Sequence, residues 1–526
     1  MATKRYAVVL SDVHIGNGAP TCWYQQRVHE PQLSAALRWI LANRETIKEV
    51  VLLGDLFDVW TYRPAVRPPS LREIIAANPL LLGPRGPLAD VVRALPGEVR
   101  LLLGNHDGSV TRADIDELNR SLGGNVARGE RVEFVDAPMR VVTGASGART
   151  VFAHGHYQCM FNAPDARSRW GTIPVGHFVS RAIADQVSRT PARGTAADRV
   201  NSGNPTGIDL NALRAAVARR DDLAAFLLQY IERVTGMSRY APIVMPDGRV
   251  TTAWDAQRVF AGLYTLWRTR EGRWEDALRA ANADRGGGDD LAWFGQRLAM
   301  QTGSDLTVMG HTHSAVAGVD VSPVDYVNNG YACVSLPDAV TGTPTTFTRV
   351  DVERATAQVF AVAPFGASIF PTRVRRLRSA IVHGRDYSCY ARIQNNTGRP
   401  LIRVAVGRDS ASYWVVPPPM MIQPGARFDA WLQDTPLSPR GSEGSFSYSD
   451  GARTYSFFVT CPTVRDNKVT SPVPYETKVG SNPWRAGRVD GSGYPLQARF
   501  YVGAARPVTR GWLPPAGRSR QPAPVP

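Results

Sequence analysis

Five short apolar runs in this chain each end at aspartate, asparagine or histidine, and this pattern constrains the fold more than any other feature. The run at residues 51–53 leads into Gly54-Asp55, which predicts a buried strand with a carboxylate at its carboxyl end. Open α/β sheets place their sites at that edge. The other four runs end at Ser11-Asp12-Val13-His14, Gly104-Asn105-His106-Asp107, His154-Gly155-His156 and Gly310-His311-Thr312-His313. The pattern therefore predicts an α/β sheet whose strand ends share one site.

The residue types at these strand ends indicate metal chemistry. Aspartate, asparagine and histidine are good ligands for hard or borderline cations. In Asp12-x-His14 and His311-x-His313 the two side chains leave an extended strand on one face, and a turn just past the strand aims them at adjacent positions. Each motif alone is more often a turn or a helix cap. Five together favour a metal site with Asp55 at its centre.

These motifs resemble those of the calcineurin-like metallophosphoesterase family, D-x-H, G-D-x-x-D, G-N-H-D, G-H and G-H-x-H, over roughly residues 6–362. The resemblance implies a four-layer αββα sandwich as the catalytic domain, residues 1–365. It also implies two divalent metal ions bridged by Asp55. Their ligands would be Asp12, His14, Asp55 and His313 for one ion, and Asp55, Asn105, His154 and His311 for the other.

The same resemblance implies hydrolysis of a phosphomonoester or phosphodiester by hydroxide held between the two ions. His106 would donate a proton or hydrogen bond to the phosphate or leaving oxygen, Asp107 would orient its ring, and Asp58 would support the bridging carboxylate. The mixed nitrogen and oxygen ligands favour manganese, with iron or zinc as alternatives. A scaffold without activity is the competing hypothesis, although no expected ligand type is missing.

The phrase at residues 54–60, G-D-L-F-D-x-W, is similar to one in the UDP-2,3-diacylglucosamine hydrolase branch of the family. That branch usually has arginine where this chain has His106, and His-Gly-Asp where it has His154-Gly155-His156. These departures favour a related group that acts on a different substrate.

Residues 157–303 form a long insertion between the fourth and fifth motifs, and helical spacing of apolar residues predicts an α-helical cap. Added structure beside a metal site is where substrate specificity would reside. The cap aromatic residues are expected to pack between helices rather than line a channel. Three arginines stand in the cap, Arg167, Arg169 and Arg181. They would either neutralise a second phosphate or a sulfate-like group, or lie at the solvated surface.

The composition changes after the last motif. Residues 366–378 contain a glycine and a proline followed by four arginines, which predicts a basic linker or an edge strand. Residues 379–503 show short alternating runs separated by turn residues, which predicts an all-β sandwich. Residues 504–526, dense in proline and arginine, predict a disordered tail.

Phrases at residues 391–397 and 441–446 are similar to the aegerolysin family of small β-sandwiches. That resemblance implies binding to membrane lipid or to another protein, with Trp414 and Trp431 as interfacial aromatic residues. The alternative is an accessory domain whose tryptophans are buried. The corresponding function hypothesis is a lipid-binding or toxin-like interaction protein whose carboxyl-terminal sandwich is the main functional module.

The net charge of +15 favours anionic partners and leaves nucleic acid open, but lysine is rare and the arginine excess is equally typical of GC-rich coding. No stretch reaches the roughly 18 apolar residues of a spanning helix. The first motif strand begins so early that a cleavable signal has no room, so we expect a cytoplasmic protein, with signal-less secretion as the alternative. Five cysteines without C-x-x-C indicate neither a disulfide framework nor a zinc finger. Oligomeric state is undetermined.

Overall fold

The computed structural model describes residues 4–189, 222–284, 288–330, 344–379, 382, 386–435 and 439–503. The strands of its amino-terminal part, in chain order, are β1 (Tyr6–Leu10), β2 (Ile47–Leu53), β3 (Val99–Leu102), β4 (Val132–Phe134), β5 (Arg140–Thr143), β6 (Arg149–Phe152), β7 (Ile243–Val244), β8 (Val250–Thr251), β9 (Leu306–Met309), β10 (Asp325–Asn328), β11 (Thr345–Asp351), β12 (Thr356–Val362) and β13 (Ile369–Pro371). They build two main sheets, in the orders β13-β12-β11-β1-β2-β3-β4 and β10-β9-β6-β5.

Helices cover the outer face of each main sheet, and further helices form the insertion. In chain order they are α1 (Gln26–Ala42), α2 (Leu71–Ala77), α3 (Pro79–Leu82), α4 (Pro87–Ala94), α5 (Arg112–Leu122), α6 (Val175–Arg189), α7 (Leu223–Thr235), α8 (Ala253–Val259), α9 (Leu263–Glu271), α10 (Trp274–Ala280) and α11 (Asp289–Thr302). Helix α1 shows why they form, because Leu33, Leu37 and Ile40 recur at helical spacing and are buried against the larger sheet. The predicted α/β class is confirmed.

Strand register brings the five motif-bearing strand ends together. Strands β1, β2 and β3 are parallel, and Leu10 lies beside Leu52 at the end of the first pair. In the smaller sheet β6 and β9 are also parallel, with Phe152 beside Val308. Apolar residues from the two sheets, including Val9 and Val308, share one buried core, so the sheets pack face to face. The residues after these strands therefore meet at one edge.

The insertion at residues 157–303 contains helices α6 to α11 within the described ranges, which agrees with a helical cap. The predicted cap residues 190–221 lie outside the described residues, as does the predicted tail at 504–526. The predicted linker at residues 366–378 contains β13, which pairs with β12 as the edge strand of the larger sheet.

Two more sheets form the carboxyl-terminal part. Its strands are β14 (Cys389–Asn395), β15 (Leu401–Arg408), β16 (Ser412–Val416), β17 (Met421–Ile422), β18 (Arg427–Asp434), β19 (Gly441–Ser449), β20 (Thr454–Pro462), β21 (Lys468–Thr470), β22 (Tyr475–Val479), β23 (Arg485–Ala486) and β24 (Leu496–Val502). The sheet orders are β16-β18-β14-β24-β22-β23 and β17-β15-β19-β20-β21. Phe446, Phe457 and Phe500 pack in the shared core, which agrees with the predicted all-β domain.

Helix α11 joins the two parts of the molecule. Its Trp293 is fully buried, and its ring centroid lies 5.3 Å from that of Trp431 on β18. At the same boundary Asp305 pairs with Arg427, at 2.5 Å between Oδ2 and Nη2. Trp431 was a candidate for lipid contact, and that prediction is wrong because the side chain is fully buried against the cap. No helix among the described residues has both the length and the apolar character needed to cross a bilayer.

Replacement of Trp431 by alanine should leave a cavity between α11 and β18 and should lower the free energy of unfolding by about 3–5 kcal/mol. Urea unfolding of the full chain, followed by circular dichroism, measures this loss. Trp274→Ala is the matched control, since that side chain is 50% exposed and should matter little. Equal effects of the two substitutions would show that the interface is not a packed core.

Candidate metal centre

The carboxylate of Asp55 lies at the centre of the strand ends and is nearly fully buried. Its Oδ1 accepts a hydrogen bond from the backbone N–H of His106 at 2.8 Å. Its Oδ2 lies 3.2 Å from His154 Nε2 and 3.8 Å from His14 Nε2. One oxygen is thus fixed by the backbone, and the other lies between two imidazoles, where a bridging ligand would be.

On one side of Asp55 lie Asp12, His14 and His313. The Nε2 atoms of His14 and His313 are 3.1 Å apart, and His313 Nε2 lies 3.4 Å from Asp12 Oδ1. Each of the three residues offers one ligand atom, and these three atoms all lie within 4.8 Å of one another. Two ring nitrogens that face each other beside a carboxylate offer a convergent donor set for one cation.

On the other side, Asp55, His154 and His311 also place ligand atoms within 4.8 Å of one another. His154 Nδ1 lies 2.8 Å from the carbonyl oxygen of Leu53. A carbonyl only accepts, so Nδ1 carries a proton and Nε2 is the nitrogen that faces a cation. Asn105 is 7% exposed, and its Oδ1 has no hydrogen-bond partner among the described residues. The donors fit a second cation, with the Asn105 oxygen available to it.

Backbone strain is concentrated at these residues. Positive φ values, uncommon for residues with a Cβ, occur at Asp12 (56°), His14 (56°), Asp55 (52°), His311 (73°) and His313 (52°). Such conformations cost on the order of 1–3 kcal/mol each and persist where the surroundings enforce them. Clustering at one site is typical of a functional centre, where ligand geometry outweighs backbone preference.

Three motif glycines give the ligands room. A Cβ on Gly104 would overlap the Asp55 carboxylate, and one on Gly310 would overlap the carboxylate of Asp12. A Cβ on Gly54 would overlap the His154 ring. Each glycine directly precedes a candidate ligand, so the motif spacing reflects close packing of the ligands as well as their chemistry.

The electrostatics of the cluster set the protonation state of each candidate ligand. Burial alone would raise the pKa of Asp55, but His154, His106 and His14 hold it well below its usual range. Burial alone would lower the pKa of His154, but Asp55 and Asp12 raise it to about 9. Burial and then neighbouring histidines lower the pKa of His311. The ionised Asp55 carboxylate and the neutral His311 imidazole are competent ligands as they stand, whereas His154 releases a proton when it binds a cation.

His106 lies beside the metal ligands, and its orienting carboxylate is Asp58. The Nδ1 atom of His106 is 3.2 Å from Asp58 Oδ1, and His14 Nδ1 is 3.4 Å from Asp58 Oδ2. Asp58 accepts hydrogen bonds from the N–H groups of Trp60 at 2.7 Å and Thr61 at 3.1 Å. Burial would raise the pKa of Asp58, but His106 and then His14 lower it. Asp58 therefore orients a ligand and the predicted proton donor together.

The predicted role of Asp107 as the residue that orients His106 is wrong. The Asp107 carboxylate accepts backbone hydrogen bonds from Gly104 at 2.7 Å, Leu56 at 2.8 Å and Phe57 at 3.3 Å. Burial and the Asp55 charge raise its pKa to about 7. Asp107 ties the loop after β3 to the loop after β2, so it holds Asn105 and Asp55 in register.

Two tryptophans surround His106. The Trp60 ring stacks on it, with centroids 4.4 Å apart, and is 2% exposed, so it supports the histidine rather than lining a cleft. Trp23 is half-buried, and its ring centroid lies 4.9 Å from that of His106 and 4.7 Å from that of His14. Sequence reasoning missed Trp23, because its only signal was an aromatic residue in the loop after β1.

The cap reaches the centre through Asn162, whose Nδ2 lies 3.5 Å from His311 Nε2. Arg167 is paired with Asp165 at 2.6 Å. Arg169 is exposed, in agreement with the solvated alternative. Arg181 is fully buried, which corrects both expectations for it, solvation and contact with a substrate anion.

A model of the calcineurin-like phosphoesterase family matches residues 7–191. The match supports that family and indicates a metal-dependent hydrolase of phosphate esters. A dimetal phosphatase from Danio rerio is 12% identical, with a TM-score of 0.29, over 70% of this chain and 98% of its own. The lipid binding protein Nakanori is 11% identical, with a TM-score of 0.18, over 22% of this chain and 69% of its own. IP-1A from Alcaligenes faecalis is 16% identical, with a TM-score of 0.17, over 23% of this chain and 95% of its own. No curated protein matches the chain.

Replacement of Gly104 by alanine should displace the Asp55 carboxylate and weaken metal binding about tenfold or more. Elemental analysis after dialysis against limiting Mn²⁺ measures the change. Gly398→Ala is the matched control, because a Cβ there meets no atom within 4 Å. Full metal content in the Gly104 variant would contradict the close packing described above.

Proposed function

We propose that this chain is a dinuclear metal-dependent phosphoesterase that hydrolyses a phosphomonoester or phosphodiester. The observation that carries the proposal is the position of Asp55 Oδ2 between the Nε2 atoms of His154 and His14, because one oxygen then serves two donor sets. Two bound divalent ions supply an activated water and neutralise phosphate oxygens. Without a shared carboxylate, the two clusters would be separate sites and could not act on one phosphate.

We assign one ion to Asp12, His14, Asp55 and His313, and the other to Asp55, Asn105, His154 and His311. Both sets mix imidazole nitrogen with carboxylate or amide oxygen, which suits manganese, iron or zinc. We favour manganese because oxygen donors form a large part of each set. Asp58 and Leu53 keep His14 and His154 in the tautomers that present Nε2.

His106 is the proposed proton donor to the leaving oxygen. Its Nδ1 faces Asp58, so Nε2 is the nitrogen left for the substrate. Burial would lower the pKa of His106, but Asp58 and then Asp55 raise it, which favours the protonated ring. Stacking on Trp60 fixes the plane of the ring. The histidine is thus charged, oriented and adjacent to the ligands, as a general acid requires.

The lipid-binding alternative stays a prediction from the sequence resemblance of residues 379–503. Trp431 is enclosed by the cap, so any lipid contact requires other side chains. Strands β16 and β18 of the sandwich pack on helix α11. For this face of the sandwich, the contacts favour the alternative of an accessory domain with buried tryptophans. Action at a lipid surface is therefore not required by the proposed chemistry.

Asp55→Asn should remove the bridging charge, so both metal content and turnover should fall, the latter about 100-fold or more. Hydrolysis of p-nitrophenyl phosphate and bis(p-nitrophenyl) phosphate by the Mn-loaded full chain, with elemental analysis, measures both. Asp320→Asn makes the same chemical change at a surface carboxylate that is 51% exposed. Undiminished hydrolysis by the Asp55 variant would refute the proposal.

His106→Gln should lower kcat about 100-fold or more for an alkyl phosphate, which needs a proton donor, while metal content is kept. The loss should be much smaller for p-nitrophenyl phosphate, because that leaving group departs without protonation. Asp58→Asn should show the same dependence in weaker form and should also lower metal content, since Asp58 faces both His106 and His14. Equal losses for both leaving groups would assign His106 a different role.

A further inference from the structure

Arg181 is a fully buried cation on cap helix α6. Its Nη2 donates to the carbonyl oxygens of Arg63 at 2.7 Å, Pro64 at 2.9 Å and Val66 at 2.6 Å. These residues belong to the loop that follows Trp60. Its Nε and Nη1 are also buried, and neither has a hydrogen-bond partner among the described residues. The guanidinium therefore clamps the loop with one nitrogen and leaves donors on the other two unsatisfied.

His177 lies four residues before Arg181, so the two side chains share one face of α6. The His177 side chain is fully buried, and neither ring nitrogen has a hydrogen-bond partner within the described part of the chain. Its ring meets Trp60 edge-on, with centroids 5.6 Å apart. An unsatisfied imidazole and an unsatisfied guanidinium thus lie together behind Trp60.

The charge of Arg181 has no carboxylate partner among the residues described. Burial lowers its pKa to about 9, and the opposing influence comes from the Tyr62 phenol. Arg392 shows the usual arrangement, with Nε and Nη2 donating to the two Asp429 oxygens at 2.7 Å and 3.0 Å. Buried cations are normally paired in this way, because removal from water is costly for an isolated charge. Arg181 has no such carboxylate among the residues that the structure describes.

We infer that Arg181 and His177 bind a small anion, of the size of chloride or bromide. Arg181 supplies the positive charge and free N–H donors, and neutral His177 supplies one N–H. Both side chains are fully buried and Trp60 is 2% exposed, so the ligand is an enclosed small ion rather than a phosphate ester of the substrate. Water would satisfy donors without balancing the charge. The anion would hold the cap on the loop that carries Asp58 and Trp60.

Diffraction at the bromine edge, from crystals of the full chain refolded and grown in sodium bromide, tests the site directly. We expect an anomalous peak within hydrogen-bond distance of Arg181 Nε or Nη1. Arg392 is the internal control, since Asp429 already satisfies it, and no peak is expected there. A water without anomalous signal beside Arg181, or a bare guanidinium, overturns the inference.

Thermal unfolding in sodium bromide against sodium gluconate, at equal ionic strength, gives a second readout. Bromide at about ten times its Kd should raise the midpoint by about 2 °C. Arg181→Met should abolish the difference, and His177→Phe serves if that variant fails to fold. Arg167→Met makes the same change at the surface of the cap and should keep the difference in midpoint between the two salts. A midpoint of the unmodified chain that is the same in both salts counts against the anion.

Discussion

The buried Asp55 carboxylate is the constraint on which the rest of the centre depends. Its two oxygens make different contacts. Oδ1 accepts a hydrogen bond from the N–H of His106, and Oδ2 lies between His14 and His154. Holding it there requires positive φ at Asp55 and a glycine at position 104. Parallel strands in register satisfy these demands, because they bring separate loops to one edge.

The cap and the carboxyl-terminal sandwich support this edge from two sides. Helix α11 precedes β9, His311 lies just after that strand, and Trp293 fixes the helix against β18. Helix α6 holds the loop after Asp58 through Arg181. Distant parts of the chain therefore bear on ligand orientation, and the sandwich is part of a continuous core rather than a tethered module.

The sequence predicted the α/β class and the segments of the centre, because a strand that ends at a ligand is a local pattern. Contacts between segments were harder to predict. Asp107 follows His106 directly, yet Asp58 lies beside its ring, since a turn aims adjacent side chains in different directions. The burial of Trp431 and the position of Trp23 likewise depend on segments distant in sequence, for which periodicity gives no signal.

The most direct test of the shared carboxylate is a crystal structure of the full chain grown with Mn²⁺, with anomalous data that locate the ions. Two manganese ions about 3.5–4 Å apart are expected. Asp55 should bridge them, with His14 on one ion and His154 on the other. A single ion, or two ions bound without Asp55 between them, would contradict the shared role of Asp55.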